Sequence, residues 1–176
     1  IEAAHPELVT PDTPTQRVGG MPTKQFATVE HAVPMLSLAN TYSRQEVEDF
    51  DRRVRSALDV DHVVYTCELK IDGLAMSLTY RDGVLVRAAT RGDGERGDDV
   101  TANVRTIRSV PLRLSPVMFT GAPLLDIEVR GEVFMGIDDF TRLNEEVVES
   151  GEKPYANPRN LASGTLKQKD PRLVAK

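Results

Sequence analysis

Glu68-Leu-Lys70-Ile-Asp72-Gly73-Leu74-Ala-Met-Ser-Leu-Thr-Tyr80-Arg-Asp82-Gly83-Val84-Leu-Val-Arg-Ala-Ala-Thr90 is the stretch from which the fold follows. Leu74, Met76, Leu78 and Tyr80 alternate with Ala75, Ser77 and Thr79, the period-two pattern of a half-buried strand. Asp82-Gly83 is a two-residue turn of the hairpin type, and 84–90 is the return strand. Just upstream, 63–65 reads as a short strand. Strand alternation then puts Glu68, Lys70 and Asp72 on one face and Leu69 and Ile71 on the other.

Working outward, Ser43-Arg-Gln-Glu46 is a capping box, with Val47, Phe50, Val54 and Leu58 following at helical spacing. This predicts a helix over 43–58. Residues 1–34 carry Pro6, Pro11, Pro14, Pro22 and Pro34 and read as an irregular arm. Arg91-Gly-Asp-Gly-Glu-Arg-Gly97 reads as a loop, followed by a short helix over 98–106. Leu125-Asp-Ile-Glu-Val-Arg-Gly-Glu-Val-Phe134 is a strand, with Ile127, Val129 and Val133 on one face and Glu128, Arg130 and Glu132 on the other. A helix over 138–149 ends at Ser150-Gly151, with the glycine as its cap. After a loop at 154–158, 160–169 looks helical. The sum is an α+β fold with a mainly antiparallel sheet and flanking helices.

The chain has 176 residues, enough for one domain with a sizeable core. No stretch approaches the ~20 apolar residues that cross a bilayer, so no membrane partner is expected. The opening Ile1-Glu-Ala-Ala-His-Pro has neither a basic region nor an apolar one, does not read as a signal peptide, and suggests a start inside a longer protein. One cysteine, Cys67, excludes an internal disulfide and a multi-cysteine zinc site, and points to a reducing, cytoplasmic setting. Its run, Val63-Val-Tyr-Thr-Cys67, predicts a buried structural thiol. The net charge of −5 argues by itself against nucleic-acid binding. Yet 153–176 holds six basic residues (Lys153, Arg159, Lys167, Lys169, Arg172 and Lys176) against the single acid Asp170, either a solvated surface or a local phosphate-binding face.

Four features carry possible chemistry. The Lys70 segment is either a surface salt bridge at a strand bend or a nucleophilic lysine. A free lysine amine has a pKa of ~10.4 and must lose its proton to attack. Flanking acids oppose that, so a nucleophile here needs a metal or an arginine nearby. Thr90-Arg91-Gly92-Asp93-Gly94 offers an arginine fork beside glycines that permit close approach to phosphate, or else a plain turn with an exposed arginine. Glu128-Val-Arg130-Gly131-Glu132 is a solvated sheet face or a set of carboxylates for a sugar hydroxyl or a metal. Gly131 weakens a strand unless something approaches closely. Tyr155-Ala-Asn157-Pro158-Arg159-Asn160 followed by Ser163, Gly164 and Lys167 is an anion site at a helix start, or small residues that permit close packing.

Taken in order, these strings resemble one family. Lys70-Ile-Asp-Gly73 is similar to the nucleophile motif of the covalent nucleotidyltransferases. The longer strings are His5 to Gly19, Pro34-Met-Leu-Ser-Leu38, Cys67 to Gly73, Thr90 to Gly94, Glu128 to Phe134 and Asn157-Pro-Arg-Asn160. They resemble the adenylation domain of bacterial NAD-dependent DNA ligases from end to end of the chain. The resemblance implies the covalent nucleotidyltransferase fold, with 1–19 as the tail of an N-terminal NMN-binding subdomain and linker, and 20–176 as part of the nucleotidyltransferase domain. It implies that Lys70 attacks the α-phosphate of NAD and releases NMN. AMP then passes to the 5′-phosphate of nicked DNA, which is sealed, with Mg2+ in support. Asp72 belongs to the catalytic motif. Ser37, Leu38, Glu68, Arg91 and Glu132 would bind the nucleotide, and Arg159 and Lys167 would meet phosphate.

The family usually has Arg at the position of Lys167 and Glu at that of Asp98. Lys keeps the charge but loses the bidentate fork. The later motifs are not in this chain, among them the strand with a second active-site lysine. Nor are the OB-fold, the four-cysteine zinc module, the helix-hairpin-helix repeats and the BRCT domain. Zinc is therefore expected only in the parent, no metal ligand is assigned within this chain, and the chain is not expected to seal nicks alone. A monomer, cytoplasmic and nucleoid-associated, is implied. The alternatives are an ATP- or GTP-dependent nucleotidyltransferase, against which the Pro34 and Asn157 strings stand, and a non-catalytic nucleotide-binding module.

Overall fold

The computed structural model describes residues 5–18, 21–115, 117–119 and 122–175. The opening Ile1-Glu-Ala-Ala, the expected boundary at Gly19 and Gly20, and Lys176 lie outside these residues. The chain divides into two compact units, Leu36–Lys70 and the remainder, Ile1–Met35 with Ile71–Lys176.

The larger unit contains, in chain order, β1 (Thr28–Glu30), β2 (Leu74–Arg81), β3 (Val84–Thr90), β4 (Arg96–Asp98), the short α2 (Thr101–Val104), β5 (Val117–Phe119), β6 (Ala122–Leu124), β7 (Ile127–Val133), α3 (Ile137–Glu149), α4 (Pro158–Leu166) and α5 (Pro171–Val174). Its main sheet has the order β3-β2-β7, and β1-β4 and β5-β6 form two further two-stranded ribbons. Every strand pair is antiparallel. The α+β, mainly antiparallel expectation holds.

The hairpin forms as its alternation requires. Asp82 (φ 48°) and Gly83 (φ 74°) both take left-handed backbone, the primed turn whose twist matches the flanking strands. Met76, Tyr80, Leu85 and Ala88 from the two strands pack with Val100, Val104, Leu112 and Leu166 in one core. Tyr80 is buried, and its hydroxyl donates to Pro111 O at 2.9 Å, so no polar atom is stranded there. Buried Asn103 donates to Leu166 O (2.6 Å) and Gln168 O (2.8 Å), which answers carbonyls at the end of α4 that have no intrahelical donor.

The amino-terminal arm is more ordered than its prolines suggest. Pro6–Leu8 and Pro14–Val18 are short 3-10 helices. Arg17 donates to Arg105 O, Ile107 O and Val110 O (3.1, 3.1 and 3.2 Å), and Arg113 grips Asp12 with two nitrogens. Within the expected irregular 1–34, β1 pairs residue by residue with β4, in what the sequence presents as a loop.

Two helices differ in extent from the expectation. The helix expected over 98–106 is reduced to α2. Pro158 at the first helical position and Asn157, whose side chain accepts from Asn160 N at 2.8 Å, start α4 earlier than residue 160, and α4 ends at Leu166 rather than 169. Gly151 (φ 80°) closes α3 as expected.

In the smaller unit, α1 (Arg44–Leu58) begins at the foreseen capping box, with both halves present between Ser43 and Glu46. Asp59 ends it in left-handed backbone. The stripe of Val47, Phe50, Val54 and Leu58 does not reach a core, since no residue of α1 is buried. Phe50 faces the Tyr65 ring, with centroids 6.1 Å apart. Two expectations are corrected here. Residues 63–65 are not a strand, because a strand needs a hydrogen-bonded neighbour and none of the described strands pairs with them. Cys67 is exposed, not a buried thiol, because the same unpaired run has nothing packed over it.

Candidate functional site

Gly73 ends the Lys-x-Asp-Gly motif and leads directly into β2. A Cβ placed on it would lie 2.2 Å from Val133 O and 3.1 Å from Glu132 Cγ, so only glycine lets the motif lie against β7. That contact, with the register pairs Leu74–Val133 and Ala75–Glu132, brings Glu132 alongside the motif. Asp72 accepts from Arg159 Nη1 at 3.0 Å. Arg159 sits in the first turn of α4, and the loop before it is held firmly. Asn144 of α3 bonds both Tyr155 N (2.8 Å) and Tyr155 O (3.1 Å), and Gly164 lies under the Tyr155 ring, where a Cβ would be 2.9 Å from Cε1. The Asp72–Arg159 pair is exposed, so it contributes little stability and its arginine can be taken over by another anion.

Arg91 stands at the mouth of β3 on a loop built for close backbone approach. Arg91 N donates to Ala75 O (3.1 Å) and Gly94 N to Arg91 O (3.0 Å). Asp93 accepts from Glu95 N (2.9 Å) and Arg96 N (2.7 Å), and these two backbone donors hold its carboxyl below the usual range. A Cβ on Gly97 would fall 1.7 Å from Thr90 O. Onto this loop the segment after β1 is strapped. His31 N donates to Glu95 O (2.9 Å), a His31 ring nitrogen meets Arg91 O (3.2 Å), and Met35 N donates to Gly94 O (2.8 Å).

On β7, Glu128, Arg130 and Glu132 share a face, as alternation requires. It is not a bare solvated face. Arg130 bonds Glu128 at 2.7 Å, Pro34 O at 2.9 Å, and Val33 O. Burial pushes Glu128 up, but the Arg130 and Ser77 hydrogen bonds and the charges of Arg130 and His31 together hold it below the ordinary carboxylate value. Among the described residues nothing lies within 4 Å of a Cβ built on Gly131, so none of them makes the close approach that its glycine suggested.

Lys167 and Asp98, the two departures noted above, are each other's partners at 2.9 Å. Together with Asp72–Arg159 and Asp170–Arg172 (2.6 Å), this pair neutralises part of the basic carboxyl-terminal stretch.

Ser37, Leu38, Glu68 and Lys70 belong to the smaller unit, and all are exposed on chain without regular structure. The expectation that Glu68, Lys70 and Asp72 share a strand face is corrected for the same reason as 63–65: this run has no ladder. Lys70 is the last residue of its unit, two positions before Asp72. Among the described residues no group of three or more His, Cys, Asp or Glu side chains is placed to hold a metal ion. No described helix is long and apolar enough to cross a membrane.

With this geometry in view, comparison with known proteins is specific. A family model described as the NAD-dependent DNA ligase adenylation domain matches residues 23–176. The chain belongs to that family. Among curated relatives, a DNA ligase of Roseiflexus sp. (strain RS-1) is 57% identical, with 100% of this chain aligned to 26% of that protein. A DNA ligase of Alkalilimnicola ehrlichii is 55% identical over 100% of this chain and 26% of its own length, and one of Pelotomaculum thermopropionicum 56% over 99% and 25%. This adenylation-domain chain thus spans about a quarter of the curated relatives it matches. Sequence reasoning left His31, Met35 and Arg130 of the domain without a role. Only the placement of Arg130 on the face of Glu128 and Glu132 hinted at one.

Proposed function

We propose that this chain is the part of an NAD-dependent DNA ligase on which AMP is loaded, with Lys70 as the acceptor. The observation that carries the reading is the family match over 23–176, with Lys70, Asp72 and Gly73 intact inside it. The Lys70 Nζ lone pair forms a P–N bond to the α-phosphorus of NAD as the P–O bond to NMN breaks, and the amine proton departs. AMP then passes to the 5′-phosphate of a nick, and the 3′-hydroxyl displaces it. Phosphoryl transfer of this kind needs positioning and charge stabilisation more than covalent help. Arg159, already paired with a carboxylate, is suited to exchange Asp72 for phosphate. Arg91 and Glu132 would hold the ribose and phosphate side of the adenylate, Glu68 the adenine, Ser37 and Leu38 the pocket wall, and Lys167 a phosphate.

The finer fold and boundaries belong to the same reading: the covalent nucleotidyltransferase fold over 20–176, with 1–19 as linker and tail of an NMN-binding subdomain. Mg2+ fits the residues present only as an ion shared with substrate, since it binds through one or two carboxylates plus phosphates, and Asp72 and Glu132 are exposed carboxylates. When bound it would neutralise phosphate charge. Zinc, nicked duplex DNA as partner, a monomeric state and a cytoplasmic, nucleoid-associated location are proposed for the whole ligase.

Intact mass of the full-length protein, stripped of AMP with excess NMN and then incubated with NAD and Mg2+, tests the reading. An added AMP that is absent from Lys70→Ala and not formed with ATP is expected. Equal labelling by ATP would replace NAD as the donor, and no adduct at all would leave a nucleotide-binding module.

A further inference from the structure

The strap 31–35 touches both parts of the larger unit that carry nucleotide-binding candidates. At one side it is bonded to the loop of Arg91, through His31 N to Glu95 O, the His31 ring to Arg91 O, and Met35 N to Gly94 O. At the other it is bonded to β7, the strand of Glu132, through Arg130, whose guanidinium takes the consecutive carbonyls of Val33 and Pro34. Arg130 is itself aimed by Glu128 at 2.7 Å, and Glu128 in turn by Ser77 of β2. Met35, at the end of the strap, is buried, and the next residues are Leu36, Ser37 and Leu38.

A planar fork that meets two adjacent carbonyls and a carboxylate at once is a task lysine cannot perform, since its single ammonium cannot span the three acceptors in one geometry. We propose that Arg130, aimed by Glu128, is a positioning residue for the nucleotide site. By holding the strap to β7 it fixes the spacing between the Arg91 loop and Glu132. The proposal rests on the adenylation reading above. It assigns no contact with substrate to Arg130 itself, whose three nitrogens are each turned to a protein acceptor.

The test uses the full-length protein and the variants Arg130→Lys, Arg130→Ala and Glu128→Gln, with Arg142→Ala on α3 as a control for loss of an exposed arginine. Two readouts are taken. The first is amide hydrogen exchange at His31 and Met35 without nucleotide. The second is the KM for NAD and the kcat of AMP–lysine formation, scaled to the titrated active fraction. Arg130→Lys is expected to speed exchange at Met35 and to raise KM about tenfold or more, as misplaced binding groups do, while the Arg142 control changes neither. Glu128→Gln should shift both readouts in the same direction, and it carries the test if Arg130→Ala does not fold. A merely structural arginine would lower the active fraction and leave KM of the remainder unchanged, and that result overturns the proposal. Unchanged exchange at Met35 in Arg130→Lys overturns it too. Absence of any adduct in the wild type, whatever the exchange data show, sinks the adenylation reading and this role with it, and so is told apart from failure of the positioning alone.

Discussion

Gly73→Ala should destabilise the protein by about 2–4 kcal/mol, although Gly73 needs no unusual backbone angle. It is absent from the positions with positive φ, so the objection to a side chain is contact alone. The new Cβ would stand 2.2 Å from Val133 O and 2.9 Å from Val133 C. These are main-chain atoms of β7, held by the β2–β7 ladder beginning at Leu74–Val133, and they cannot rotate aside. Relief requires the chain at 72–74 to move off β7, which gives up roughly one ladder hydrogen bond, about 1 kcal/mol net. The overpacking that remains costs about 1–3 kcal/mol. Gly131→Ala is the control. Gly131 lies in the same ladder, opposite Met76, and a Cβ there meets nothing within 4 Å. Replacing a strand-interior glycine without strain should gain about 0.5–1 kcal/mol. Urea denaturation of the two variants beside the parent measures both. Equal effects, or a harmless Gly73→Ala, would refute the claim that the motif lies against Val133.

Two further outcomes follow from ion pairs. Asp12 is held at about 2, against an ordinary 3.8, first by its hydrogen bond from Arg113 and next by one from Thr10. A depressed folded-state pKa gives stability that is present above 3.8 and lost as the pH falls through about 2, so the difference in melting temperature between parent and Asp12→Asn should close over that window; a gap independent of pH would exclude the pair. Lys167 and Asp98 are substantially exposed (45% and 38%), so Lys167→Met should cost no more than about 1 kcal/mol of stability. If Lys167 meets phosphate, AMP transfer in the full-length protein should nonetheless fall by about tenfold to a hundredfold, the value of a charged hydrogen bond, and an activity loss no larger than the stability loss would remove it from the site.

What was legible in the chain is what local physics decides. The Asp82-Gly83 hairpin, the Ser43–Glu46 capping box and the Gly151 terminus each depend on residues within a few positions of one another, and each formed where the pattern put it. The β1–β4 ribbon was not legible, because three-residue strands carry no period and their pairing joins residues about seventy positions apart. The same holds around the site. Lys70, Asp72 and Gly73 announce themselves as a motif, whereas Arg130 matters through two carbonyls nearly a hundred positions away. The charge balance misled in the same way, because half of the basic residues counted in the carboxyl-terminal stretch are paired with acids, two of them across the sequence: Arg159 with Asp72 and Lys167 with Asp98.

The run before the motif is where sequence and structure disagree most, and the disagreement is itself informative. Val63-Val-Tyr-Thr-Cys67-Glu-Leu-Lys70-Ile71 has strand composition and partial alternation, yet it forms no ladder with any described strand. Val64 is 98% exposed and Leu69 88%. Burying each of those side chains is worth about 1.5–3 kcal/mol, and an extended backbone in a folded protein ordinarily has its N–H and C=O groups paired. Both terms favour acquisition of a partner strand, and about three quarters of the length of the curated relatives is not represented in this chain. We therefore predict that in the full-length protein 63–71 pairs as a strand and Lys70 is held on it. Amide exchange should be slowed at alternate residues of 63–71 in the full-length protein and fast throughout the run in the chain of 176 residues. Equal, fast exchange in both would mean that Lys70 rides on a mobile segment, and that the attack on phosphorus proposed for it must wait for substrate to order it.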